Sequence, residues 1–288
     1  MKLKMWISGR RAVLALGLAA AMTAVLISSL FVRVAAVSAE GVPVPILMYH
    51  SVGYNDRVQS KYFLSPEAFE EDMCWLFDHG YTSVFVSDLV SFVRNKTALP
   101  EKPVVITLDD GFLNNLTYVL PILEKYDMRA VISVVGSFCQ EYTLHPDPDP
   151  AYAYLTWEDV STLHRSGRFE IANHTYEMHT VGVRRGCMRR ADESVAAYSA
   201  TLSADLSRLQ SMLTEKCGVT PTVFAYPYGA VSSEALYVLQ SLGFQAALTC
   251  DERINYLSSK KSEQLYRLGR FNRPAGMTTK DFMTGIFS

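Results

Sequence analysis

Two carboxylates and two imidazoles supply the chemistry in this chain. Asp109 and Asp110 sit in Thr107-Leu108-Asp109-Asp110-Gly111, and His174 and His179 follow downstream. Neighbouring residues in a regular strand face opposite sides, so both carboxylates can serve one site only where the strand breaks into a turn. Gly111 permits that break. Read alone, Asp-Gly marks only a turn. The histidines are five residues apart and would diverge by roughly 140° on a helix. They therefore lack the one-face spacing of the helical H-E-x-x-H zinc motif and are expected on a strand end and the loop after it. One Asp with two His makes a three-ligand set with open positions. Such a set suits catalytic Zn2+ and also accommodates Co2+, Ni2+ or Fe2+. With Asp110 on the metal, Asp109 is free to act as a base toward water whose pKa the metal lowers.

Two further segments end apolar runs. In Phe224-Ala225-Tyr226-Pro227-Tyr228-Gly229, the amide N–H of Tyr228 is a candidate oxyanion donor, and Tyr226 and Pro227 are expected against the substrate. In Met48-Tyr49-His50-Ser51, His50 is a candidate proton donor.

The elements that must position these groups alternate. Nearly all-apolar runs at 44–49, 103–108, 129–135, 169–172, 222–225 and 245–248 read as strands buried on both faces. Helices are predicted from Ser65, an N-cap before Pro66, and over 87–94, 115–126, 156–166, 192–216 and 232–241. A final strand and helix are predicted near 265–284. Alternation of this kind implies a parallel sheet, with the site at its C-terminal strand ends if the sheet closes into a barrel. The connection Ser137–Leu155 contains Pro146, Pro148 and Pro150. It is expected to lack regular structure and to serve as a lid or a surface insertion. Its Tyr142, Tyr152 and Tyr154 have the capacity to stack on sugar rings.

The N-terminus is set apart from the fold. Lys2, Lys4, Arg10 and Arg11 precede an uncharged apolar stretch, Ala12–Val32, long enough to span a bilayer at about 20 residues. The charge bias places the rest of the chain outside the cytoplasm. Residues 1–39 are thus expected to form a membrane anchor and linker. Cleavage after Val37-Ser38-Ala39 would instead release a secreted domain of residues 40–288. Five of the 27 basic residues lie in this leader and all 29 acidic residues follow it, so the remainder is acidic, which argues against nucleic acid as a partner. The five cysteines form no C-x-x-C pair. One or two disulfides are open to an exported domain, although buried thiols are the simpler expectation.

Taken in order, these segments resemble the polysaccharide deacetylases of the NodB-homology type, carbohydrate esterase family 4, over about Pro45–Met283. Thr107–Gly111 is similar to the family's T-F-D-D-G motif, which implies that Asp109 is the base and Asp110 a metal ligand. Asn173-His174-Thr175-Tyr176 is similar to the start of its histidine motif, which implies that His174 and His179 bind the metal. The five-residue histidine spacing, Pro45–His50 and Tyr226–Gly229 are nearest the branch that includes poly-β-1,6-N-acetylglucosamine deacetylases. The resemblance implies a distorted (β/α)7 barrel and metal-dependent removal of N-acetyl groups from a GlcNAc-containing extracellular or cell-wall glycan, with release of acetate. Two features depart from the family pattern. Ala225 stands where an Arg usually holds the base, which makes Arg270 the candidate substitute. No His follows His179, which makes His50 the candidate acid. These departures leave a non-catalytic, membrane-tethered glycan-binding relative as the alternative. A glycosidase fits poorly, because its two carboxyl groups must stand at least about 5 Å apart across the scissile bond.

Overall fold

The computed structural model of the chain describes residues 41–54 and 60–287. The expected anchor, Ala12–Val32, and the boundary at residue 39 lie outside the described residues. Among the described residues no helix is long and apolar enough to cross a membrane.

The apolar runs form one parallel sheet of eight strands. They are β1 (Ile46–Tyr49), β2 (Thr82–Ser83), β3 (Pro103–Leu108), β4 (Ala130–Val134), β5 (Phe169–Asn173), β6 (Val223–Ala225), β7 (Ala246–Leu248) and β8 (Phe271–Asn272). Seven follow the order β7-β6-β5-β4-β3-β1-β8, and β2 pairs with the start of β3. β8 pairs with β1, while Leu268, just before it, bridges Leu248 of β7. The barrel predicted from resemblance is thus present as a curled parallel sheet. An antiparallel pair, Val42–Val44 with Asn255–Leu257, was not legible as a separate element, because Val44 runs straight into the apolar sequence of β1.

Helices cross between the strands: α1 (Pro66–Asp78), α2 (Val86–Asn95), α3 (Leu120–Lys125), α4 (Gly136–Leu144), α5 (Trp157–Arg165), α6 (Val195–Cys217), α7 (Ala235–Ser241) and α8 (Thr279–Phe287). Ser65 caps α1 by accepting the Ala68 N–H, as its position before Pro66 predicts. α4 corrects the expectation of an irregular segment from Ser137 to Leu155. The helix-breaking prolines begin only at Pro146, so the first half of that connection is free to be helical. The five cysteines are all free thiols, in line with the simpler expectation of buried or unpaired thiols.

Strand alternation sorts the side chains. Leu47 and Tyr49 of β1, Ile106 and Leu108 of β3, and Phe169 and Ile171 of β5 pack into one core with helices α1, α3, α5 and α6. Ile46, Val105, Ala172, Val223 and Ala225 point to the other face, where α2 packs. Each fully buried Val, Leu or Ile contributes roughly 1.5–3 kcal/mol, so slipping one strand by a residue would exchange the two sets at heavy cost. Following the second face to the C-terminal strand ends gives Met48 and His50, Thr107 and Asp109, and Ala172 and His174. The register that buries the core thereby collects the polar site residues.

Candidate active site

The acidic turn works because Asp110 leaves the strand conformation. Asp110 has φ 73° and Gly111 φ 78°. Left-handed backbone is costly for a residue with a Cβ, and Asp tolerates it better than most. Asp109 stays in register, its N–H donating to the Tyr49 carbonyl at 3.0 Å. The pair therefore presents two carboxylates to one cavity, which a straight strand cannot do.

The histidine loop is held as firmly. Thr175 adopts φ 71° and its N–H donates to Asn173 Oδ1 at 2.9 Å. Asp205 of α6 accepts the N–H groups of Tyr176 and Glu177 at 2.7 and 2.9 Å. This turn brings His179 back beside His174, with ring centroids 5.0 Å apart. The Nδ1–H of His174 donates to the Ala225 carbonyl at 2.8 Å, which turns Nε2 toward Asp110. Orientation of this kind is what a metal-ligating imidazole requires. His179 Nδ1 lies 3.2 Å from the Tyr228 hydroxyl.

Asp110, His174 and His179 offer one donor atom each, all within 4.8 Å of one another. Asp110 Oδ1 is 3.1 Å from His179 Nε2 and 3.6 Å from His174 Nε2. The electrostatics call for positive charge at this spot. Burial alone would push His174 down, but Asp109 and Asp110 outweigh it and its pKa is raised. Burial would push Asp110 up, but hydrogen bonding to His174 and His179 holds it far below the usual carboxylate range. Oxygen and imidazole donors in this arrangement fit a divalent cation.

Asp109 is occupied differently. Arg270, fully buried, donates from both terminal nitrogens to its two oxygens at 2.8 Å each. The guanidinium is itself fixed by the Thr249 carbonyl at 2.8 Å and Thr107 Oγ1 at 3.2 Å. Burial would raise the Asp109 pKa, but the charges of Arg270 and then His174 overcome it and hold the carboxyl at about 2. The structure therefore places Arg270 behind Asp109, while the carbonyl of Ala225, at the position of the family's usual Arg, orients His174.

The four residues open into a cavity of about 610 Å³ that His50 and Tyr228 also line. His50 Nδ1 is buried there without a partner. Burial lowers its pKa, only partly opposed by the charges of Asp110 and Asp109. Tyr228 takes φ 58° and is 37% exposed. Tyr226 and Pro227, expected against the substrate, lie beneath the exposed Tyr228. Both are buried, and neither lines the cavity. The Tyr226 ring packs edge-on against Phe224 at 4.9 Å, which anchors the turn that carries Tyr228. Of the three loop tyrosines only Tyr152 reaches the cavity; Tyr154 stacks on Phe112 at 4.7 Å, and Tyr142 lies edge-on to Tyr154. Sequence reading missed Tyr62, Cys250, Glu252 and Asn272, which also line the cavity. Asn272 alone carried a signal, two residues beyond Arg270 in a strand.

Comparison with known proteins agrees with this geometry. The profile of the family described as polysaccharide deacetylase matches residues 96–247, just over half of the chain. A poly-beta-1,6-N-acetyl-D-glucosamine N-deacetylase of Escherichia coli (strain K12) is 28% identical over 227 residues, which cover 71% of this chain and 33% of the relative. The chain thus spans about one-third of the length of that protein. Among solved structures, a de-N-acetylase from Aggregatibacter actinomycetemcomitans superposes with TM-score 0.70 at 24% identity, covering 83% of this chain and 99% of that one. The Streptococcus pyogenes deacetylase PplD, solved with acetate, gives TM-score 0.69 at 19% identity, covering 86% and 100%. The two likenesses establish the shared fold. With the profile match and the motif residues gathered at one set of strand ends, this chain belongs to the polysaccharide deacetylase family.

Proposed function

We propose that this protein removes N-acetyl groups from a GlcNAc-containing extracellular or cell-wall polysaccharide of the poly-β-1,6-N-acetylglucosamine type, in a reaction that depends on a divalent metal and releases acetate. The observation that carries the reading is the division of the two adjacent carboxylates: Asp109 is paired with Arg270, while Asp110 faces the two histidines. The family match and the activity in the name of the Escherichia coli relative support the substrate class.

Asp110, His174 and His179 would hold the metal, Zn2+ first and Co2+, Ni2+ or Fe2+ as alternatives. When bound there, a divalent cation supplies Lewis acidity that polarises the acetamide carbonyl and acidifies water. Asp109 accepts a proton from the attacking water. A carboxyl held at about 2 is a weak base but stays ionised at all physiological pH, and Arg270 fixes its aim. The Tyr228 amide N–H is assigned to the developing oxyanion, and the Tyr228 hydroxyl steadies His179. His50 is assigned to protonate the departing amine from its protonated form, which burial makes scarcer but more strongly acidic. Water oxygen bonds the acetyl carbon first, and collapse of the resulting oxyanion breaks the C–N bond, leaving acetate and a free glucosamine amine. The apolar stretch at Ala12–Val32 would hold the domain to the outer face of a membrane, or be cleaved to release it.

The test is to incubate the purified protein with a β-1,6-linked GlcNAc oligomer and measure acetate, free amines and new reducing ends. Equimolar acetate and amine, abolished by a chelator, are expected. New reducing ends would instead indicate a glycosidase, and glycan binding without acetate release would indicate a non-catalytic relative.

A further inference from the structure

One polar side chain in the cavity is engaged by neither the metal set nor the proton-transfer groups. Asn272 lines the cavity, yet its Oδ1 is buried with no hydrogen-bond partner. Its backbone is fixed: the N–H donates to Glu252 Oε1 at 3.2 Å, and the next N–H, of Arg273, donates to the Met48 carbonyl at 2.9 Å. Buried amide groups left unpaired are costly and uncommon. A fixed one inside a substrate cavity is satisfied by what binds there.

Its position tells which part of the ligand that is. β8 pairs in parallel with β1, Asn272 opposite Met48. Alternation along β8 puts Arg270 and Asn272 on one face and Phe271 on the other, where Phe271 packs on the outer core. Alternation along β1 puts Met48 and His50 on the cavity face, and all three of Met48, His50 and Asn272 line the cavity. Asn272 is therefore the diagonal neighbour of His50 across the strand pair, on the same side as the Arg270–Asp109 pair. If His50 protonates the acetamide nitrogen, as assigned above, the acetamide N–H lies beside Asn272, its neighbour across the strand pair.

We propose that Asn272 determines specificity: its side-chain carbonyl accepts a hydrogen bond from the substrate's acetamide N–H, so that the cavity selects N-acetyl over O-acetyl groups. This rests on the N-deacetylase reading above and adds the bond type to it. An O-acetyl sugar presents an oxygen in place of the N–H. The Asn272 carbonyl would then face a second acceptor and stay unpaired, and a site built around a hydrogen bond strongly rejects the analogue that lacks it. Asn272 takes no part in proton transfer; the bonds that break and form are those already described.

The experiment compares the wild type with Asn272→Leu and Asn272→Ala, each loaded with the same divalent cation, on two substrates. One is a GlcNAc oligomer, followed by acetate release; the other is 4-methylumbelliferyl acetate, an activated ester with no N–H. The expected result is a loss of about tenfold or more in kcat/KM on the oligomer, the scale of one hydrogen bond, with the ester rate within about twofold of wild type. Retained ester cleavage also shows that the variant is folded. Equal loss on both substrates, or no loss on the oligomer, overturns the inference while leaving wild-type N-deacetylation standing. A wild type that cleaves the ester but never the oligomer overturns the N-deacetylase reading itself, and the inference with it.

Discussion

Arg270 determines what kind of base Asp109 is. A lone carboxyl in a fully buried position would be protonated at neutral pH; the fork of two 2.8 Å hydrogen bonds keeps it ionised and aimed. The pair is buried on both sides, Arg270 at 0% and Asp109 at 3% exposure, so removing one partner strands the other. Arg270→Met is expected to destabilise the fold by roughly 3–5 kcal/mol, measured by urea unfolding. A loss below about 1 kcal/mol would mean the pair is replaceable. Arg270→Lys keeps the charge but cannot make the fork. It should fold, yet lower kcat for acetate release on the order of 10–100-fold through a misplaced base; wild-type turnover in that variant would remove Arg270 from the account. The role of Arg270 was open to inference only because Ala225 occupies the family's usual Arg position. Nothing in the local sequence Leu268-Gly269-Arg270 shows that the guanidinium crosses the sheet to Asp109, because that contact joins residues 161 positions apart.

The site is assembled from strand ends, and the residues just past them carry the strain. Gly111 has φ 78°, and a Cβ there would meet Val134 Cγ1 at 3.2 Å. Gly111→Ala is expected to cost about 1–3 kcal/mol in stability and to weaken cation binding by displacing Asp110, read by thermal melts and calorimetric titration. An unchanged variant would show that the turn is more tolerant than its φ implies. At the other end of the sheet, Glu170 of β5 accepts from the Val86 and Ser87 N–H groups at the start of α2, at 2.8 and 3.2 Å. Burial outweighs these hydrogen bonds and raises its pKa to about 7 from an ordinary 4.5. The folded state thus holds this proton more tightly than the unfolded chain. The stability that Glu170 contributes is complete below pH 4.5 and is lost as pH rises through about 7, by an amount on the order of 1–3 kcal/mol. Glu170→Gln should remove that component, so the stability difference between variant and wild type should grow in the variant's favour between these pH values and then level off. A difference independent of pH would refute the shift. The apolar runs made β1 and β3 to β7 legible, because each is buried on both faces. β2 and β8 were less legible: at two residues each, they are too short for any periodicity to appear. The burial of Tyr226 and Pro227 was not legible, because an aromatic turn at a strand end looks the same in sequence whether it faces the cavity or the core.

At the scale of the whole molecule, one parallel register does two jobs. It buries alternate apolar residues on both faces of the sheet and delivers Asp109, His174 and His50 to the same mouth, with the turns adding Asp110 and His179. The acidic balance of the chain beyond residue 39 is compatible with the cation proposed for the site. The separate duties of the neighbouring carboxylates are tested by one paired measurement. Asp109→Asn and Asp110→Asn are purified with Zn2+, and bound metal per chain and acetate release from a GlcNAc oligomer are determined on the same samples. Asp109→Asn is expected to keep about one cation per chain while acetate release falls roughly 10²–10⁴-fold. Asp110→Asn is expected to lose both. Full activity in Asp109→Asn, or loss of metal from Asp109→Asn with retention in Asp110→Asn, would refute this division of roles.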